Sequence, residues 1–133
     1  MPEANRPQFR NIHVTEIARY RLPLAGFVSI LHRISGLLMF VLLPFILYLL
    51  ENSLTSEDTF AYLKGFAQYP FVKLIILALS WAYLHHFCAG LRHLLMDVHV
   101  GLDKESAKNS ALGVFAVSIP LAALVALKLF GVF

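Results

Sequence analysis

Three apolar runs free of Asp, Glu, Lys and Arg, Ile34 to Leu50, Leu74 to Leu91 and Asn109 to Leu127, constrain this 133-residue chain more than any other feature. Each approaches the ~20 residues that a helix needs to cross a ~30 Å hydrocarbon core. A buried helix of a soluble protein is the competing reading of any one run. Three runs in so short a chain, with no amphipathic helices to cover them, argue against it. With 59% hydrophobic residues and only 14% charged, a soluble globular domain fits poorly. The expected fold is an all-α membrane protein with three transmembrane helices, about 22–50, 71–97 and 109–132, in a single domain spanning 1–133.

The flanking residues give a topology. Met1 to Tyr20 is polar and basic, with Ile12 to Tyr20 able to form a short surface helix. Arg19-Tyr20-Arg21-Leu22-Pro23 then supplies interfacial anchors and a helix-starting proline. The first apolar run is expected to remain in the mature protein, because some thirty residues precede it, His32 and Arg33 lie near its start and no small-residue cleavage site follows. From Leu22 to Leu50 a helix would be about 43 Å long, so its start sits among headgroups, with Ser29, His32 and Arg33 near that surface. Glu51 to Tyr69 reads as an acidic loop. Arg6, Arg10, Arg19 and Arg21 together with Lys104 and Lys108 mark the opposite side, so the positive-inside rule puts the N-terminus in the cytoplasm and the C-terminus in the periplasm. The net charge of +3 therefore speaks to orientation, and no sustained basic helix or nucleic-acid motif accompanies it.

Chemistry concentrates in Ala82 to Gly101, which carries four of the six histidines together with Arg92 and Asp97. Ionisable groups at mid-depth are disfavoured by roughly 3 kcal/mol each for Arg or Asp, and those that persist usually line a site or a contact. On a helix His86, Gly90, His93 and Asp97 share one face, and Gly90 leaves that face open beside His86. An imidazole beside a missing side chain suits a haem iron ligand in a helical bundle, whereas the blander reading is a histidine bonded to a neighbouring helix. His85 lies about 100° around from His86, so the two cannot ligate one iron from this backbone. His93 and Asp97 can pair at i, i+4, and His13 and His99 read as solvated. Arg92 suits a haem propionate or, more simply, a cytoplasmic anchor. Ser29 and Arg33, also at i, i+4, can polarise a quinone carbonyl, against the alternative of an arginine snorkelling to headgroups. Ser118, Ala122 and Ala126 form a small-residue ridge suited to close helix packing. A lone Cys88 excludes a multi-cysteine cluster within the chain.

Beyond spacing, His86-x3-Gly90-x-Arg92-His93-x3-Asp97 resembles the haem-binding motif of the cytochrome b anchor subunit of succinate dehydrogenase. Ser29-x2-His32-Arg33-x-Ser35-Gly36 resembles the quinone-side motif of the same family. The resemblance extends over nearly the whole chain, including Arg6-Pro7 and Tyr20-Arg21-Leu22-Pro23. Two departures are a longer stretch between Arg6-Pro7 and Ser29, and His99 where a small residue commonly stands.

The resemblance implies a b-type haem ligated by His86 and shared with a small second anchor subunit, with His32 and Arg92 as propionate candidates. It implies a ubiquinone site built on Ser29 and Arg33. Electrons from succinate would arrive through an iron-sulfur subunit and a flavoprotein subunit, which hold the clusters and the flavin. The expected setting is the bacterial inner membrane, with lipid around the helices. The chain would anchor an enzyme of the citric acid cycle and respiratory electron transport without being catalytic alone. The competing readings are a haem-free structural anchor, the anchor of a fumarate reductase running in reverse, and a small transporter relaying protons through its histidines.

Overall fold

A computed structural model describes residues 13–132. The chain forms five helices, α1 (Val14–Arg19), α2 (Leu24–Thr55), α3 (Glu57–Phe66), α4 (Pro70–Asp97) and α5 (Lys104–Leu129). Helices α2, α4 and α5 are long and apolar enough to cross a membrane, with mean hydropathies of 2.2, 1.6 and 2.2 over their most apolar windows. The tail residues Arg6, Pro7 and Arg10 lie outside the described residues.

Each boundary has a local cause. Pro23, at φ −64 and ψ 153, sits just before α2, and its carbonyl accepts from the Phe27 amide at 3.1 Å. Pro70 starts α4, where its missing N–H costs nothing. The stretch expected as a loop, Glu51 to Tyr69, is mostly helical. Its polar residues are helix-end chemistry: Asn52, Ser53 and Thr55 bond back to carbonyls of their own helix. Ser56 then caps α3 by accepting from the Thr59 amide at 3.2 Å, with Glu57 and Asp58 in the first turn. Helix α5 likewise begins before the expected Asn109, because Asp103 caps it through the Ser106 amide at 2.9 Å. The Ser106 hydroxyl and amide hold the Asp103 carboxyl below the usual range for an aspartate.

Helices α4 and α5 end in the same way. Past α5, the Val132 and Gly131 amides bond the Leu127 and Lys128 carbonyls at 2.9 and 3.2 Å, with Gly131 at φ 76. Past α4, the Val100 and His99 amides bond the Leu95 and Met96 carbonyls, both at 3.0 Å, with His99 at φ 64. Both are left-handed helix ends that glycine adopts without strain. His99 is therefore a strained position, and the unusual residue there has a structural cost. His99→Gly is expected to stabilise the folded chain by about 1 kcal/mol. Equilibrium unfolding in mixed detergent micelles measures it, and an unchanged or lower midpoint would contradict it.

Helix α4 packs between α2 and α5, antiparallel to each by connection, and α2 also touches α5. The shared core is Val28, Ala89, Ala111 and Val114, flanked by Leu24, Ala25, Cys88 and Phe115. Small side chains set this approach: Ala82 and Ala89 on α4 and Ala111, Ser118 and Ala122 on α5 are all buried. Two members of the expected ridge, Ser118 and Ala122, thus lie inside the bundle. Helix α2 leaves Leu37, Phe40 and Val41 exposed, as a membrane face does.

Candidate functional site

Pairing α2 antiparallel to α4 brings two distant stretches together. Residues 32, 35 and 36 of α2 meet 86, 90 and 93 of α4. The His86 Nδ1 lies 3.0 Å from the His32 carbonyl oxygen and 3.2 Å from Ser35 Oγ. Ser35 Oγ donates to that same carbonyl at 2.9 Å. A carbonyl oxygen only accepts, so Nδ1 carries the ring proton and Nε2 carries the lone pair. This is the tautomer of an imidazole ready to bind a metal through Nε2, with its other nitrogen held by a backbone carbonyl.

Gly36 makes the approach possible. A Cβ there would stand 2.8 Å from His86 Cε1, closer than real side chains come. At Gly90, expected to clear space beside His86, a Cβ would meet only His32 Nε2, at 3.6 Å. The His32 ring stacks on His86 at 4.1 Å between centroids and 16° between planes, and reaches His93 at 4.9 Å. Three imidazoles therefore pack as a row of rings rather than converging on a point. Among the described residues no group of three His, Cys, Asp or Glu is arranged to hold a bare metal ion. A single axial nitrogen for a cofactor that brings its own equatorial ligands suits this arrangement better.

The other expected residues separate into those near this row and those turned away. Ser29 is half-buried and Arg33 exposed, both on the turn of α2 that carries His32. His93 packs on His32, and among the described residues it has no bond to the exposed Asp97. His85 is 1% exposed between Trp81 and Phe115, with ring centroids at 5.3 and 5.4 Å, on the α5 side of α4. Arg92 also turns toward α5, where Nε donates to Ser110 Oγ at 2.9 Å and Nη2 to the Ala107 carbonyl at 3.4 Å. Six residues after His86, it sits about 120° around the helix from the row of histidines. Ser35 was not singled out by sequence chemistry, although its spacing of three from His32 places it on the same helical face.

Comparison with known proteins agrees with this architecture. The family model for succinate dehydrogenase/fumarate reductase transmembrane subunits matches residues 4–125. The succinate dehydrogenase cytochrome b556 subunit of Paracoccus denitrificans is 34% identical over 126 residues, covering 95% of this chain and 93% of that protein. The subunits of the same name from Coxiella burnetii and Rickettsia felis are 33% and 30% identical, each over 77% of this chain and over 83% and 79% of their own lengths. Three apolar helices, a paired histidine-bearing α2 and α4, and a match over nearly the full length lead to one conclusion: the chain belongs to the succinate dehydrogenase/fumarate reductase transmembrane subunits, as a cytochrome b membrane anchor.

Proposed function

We propose that this chain holds one axial side of a b-type haem through His86 Nε2, shares that haem with a small second anchor subunit, and forms with Ser29 and Arg33 part of a ubiquinone-reducing site. The observation that carries the proposal is the His86 Nδ1–H held by the His32 carbonyl, which leaves Nε2 as the free donor. A bound haem supplies a reversible one-electron store in this site. The chain's own residues do the rest. Ser35 and the His32 carbonyl fix the plane and tautomer of the His86 ring, and Gly36 admits it to α2. With its stacked ring, His32 stands beside the ligand and is the candidate partner for a propionate.

Quinone reduction adds two electrons and two protons to the two carbonyl oxygens. Ser29 donates a hydrogen bond to one of these oxygens, and the Arg33 guanidinium opposes the negative charge that grows there as electrons arrive. Arg33 lies at the exposed margin of α2, so a partner subunit completes the walls of the site. The flavoprotein and iron-sulfur subunits deliver the electrons from the cytoplasmic side of the bacterial inner membrane. In that orientation, Arg19, Arg21, Lys104 and Lys108 face the cytoplasm, Glu51, Glu57 and Asp58 face the periplasm, and the C-terminus is periplasmic.

Purification from native membranes through a tag on this chain tests the assignment. The expected product contains a flavoprotein, an iron-sulfur subunit and a second small anchor, reduces ubiquinone with succinate, and shows a low-spin b-type spectrum. A complete complex without haem would leave the chain a structural anchor, and a chain recovered without dehydrogenase subunits would overturn the reading.

A further inference from the structure

On the side of α4 away from the histidine row, α4 and α5 enclose an open cleft of about 540 Å³. Arg92 and Ser110 line its middle, with Leu95, Met96 and Val100 toward the end of α4 and Gly113, Val114 and Val117 deeper. Arg92 is the feature that demands an explanation. It is only 6% exposed, carries a permanent charge, and its two hydrogen bonds go to neutral acceptors, Ser110 Oγ and the Ala107 carbonyl. Among the described residues no carboxylate pairs with it. A buried cation without an anion is costly, and guanidinium has five N–H donors of which two are committed here. Below it the floor of the cleft is empty, since a Cβ on Gly113 would meet nothing within 4 Å.

We propose that this cleft binds one anionic phospholipid, with its phosphate on Arg92 and an acyl chain lying along Gly113 and Val117. The polarity runs the right way along the membrane normal. Arg92 lies five residues, about 7.5 Å, from the end of α4, close to the interface, and the seven residues from Ser110 to Val117 carry the cleft some 10 Å deeper. The exposed Lys104 and Lys108 in the first turns of α5 are offset by the exposed Asp103 and Glu105, so selectivity for an anionic headgroup rests on Arg92. A free phosphate would satisfy Arg92 but leave the apolar depth unfilled, so the occupant is a lipid. The proposal does not depend on where haem and quinone bind.

Native mass spectrometry of the detergent-purified complex, titrated with phosphatidylglycerol and separately with phosphatidylcholine, tests it. The wild-type complex is expected to retain one phosphatidylglycerol with at least about fivefold preference, the weight of one basic residue against an anionic headgroup. Arg92→Gln should abolish that preference, and Gly113→Leu, which fills the cleft without touching the charge, should lower retention of both lipids. Unchanged subunit stoichiometry of the Gly113→Leu complex in the same mass spectra reports intact assembly, so the test stands even if Arg92→Gln fails to assemble. The proposal is overturned if the wild-type complex retains no phosphatidylglycerol, if Gly113→Leu retains it as the wild type does, or if millimolar inorganic phosphate displaces it.

Discussion

Ser29→Ala and Arg33→Leu are each expected to lower succinate-to-ubiquinone turnover about a hundredfold while sparing succinate oxidation by an artificial acceptor that draws electrons from the soluble subunits. The magnitude is that of losing one positioned donor to a developing oxyanion. Two features of α2 support the proposed site on this turn. At 32 residues the helix is about 48 Å long, well beyond a ~30 Å core, so its first turns reach the membrane surface, the side on which the proposed orientation brings the electrons in. Arg33 also follows His32 directly, and the His32 carbonyl is what holds His86. The proposed quinone donor and the proposed haem ligand are thereby fastened to one turn, with the Arg33 side chain exposed. Ser29 is the cleaner probe, because a guanidinium next to His32 can also reach a propionate. If both variants assemble and reduce ubiquinone at the unmodified rate, these residues only anchor the helix at the interface.

The spans and their pairing were legible because both rest on one-dimensional signals. Uncharged runs give the helices, and a short hairpin between the first two requires the start of one to lie beside the end of the other. His32, Gly36 and His86 meet for that reason. Helix α3 was hidden because the residues that cap and start it, Ser56, Glu57 and Asp58, are also loop residues, and only backbone geometry separates the two uses.

At the site, periodicity placed His86, Gly90 and His93 on one face but could not say which neighbour fills the gap. Glycine spacing within α4 pointed to Gly90 as the opening beside His86. The close contact is made across the interface by Gly36, and the relative rotation of two helices is not written in either one. The same ignorance of rotation hid the bonds that Arg92 makes to Ser110 and Ala107 on α5. Ser35 entered only as a member of the quinone-side motif, without a role of its own, because a serine in an apolar helix most often bonds its own backbone. It does so here, and the same oxygen also meets His86.

His86→Leu is expected to abolish the low-spin haem signal of the assembled complex, and His85→Leu to preserve it. The two residues are neighbours in sequence with unlike surroundings. His86 has Nδ1 tied to the His32 carbonyl and Ser35, which frees Nε2 as a donor beside α2. His85 is sealed at 1% exposure between Trp81 and Phe115, where the core leaves no room for a porphyrin-sized group. Gly36→Ala supplies an intermediate case: its Cβ, 2.8 Å from His86 Cε1, forces the ring to shift while keeping the nitrogen, so haem content should fall or the low-spin spectrum should move. The most direct measurement is the reduced-minus-oxidised spectrum of the purified complex carrying each substitution, with subunit content checked alongside. The account predicts a graded series, intact for His85→Leu, disturbed for Gly36→Ala and absent for His86→Leu; loss of the signal in His85→Leu with its retention in His86→Leu would contradict it.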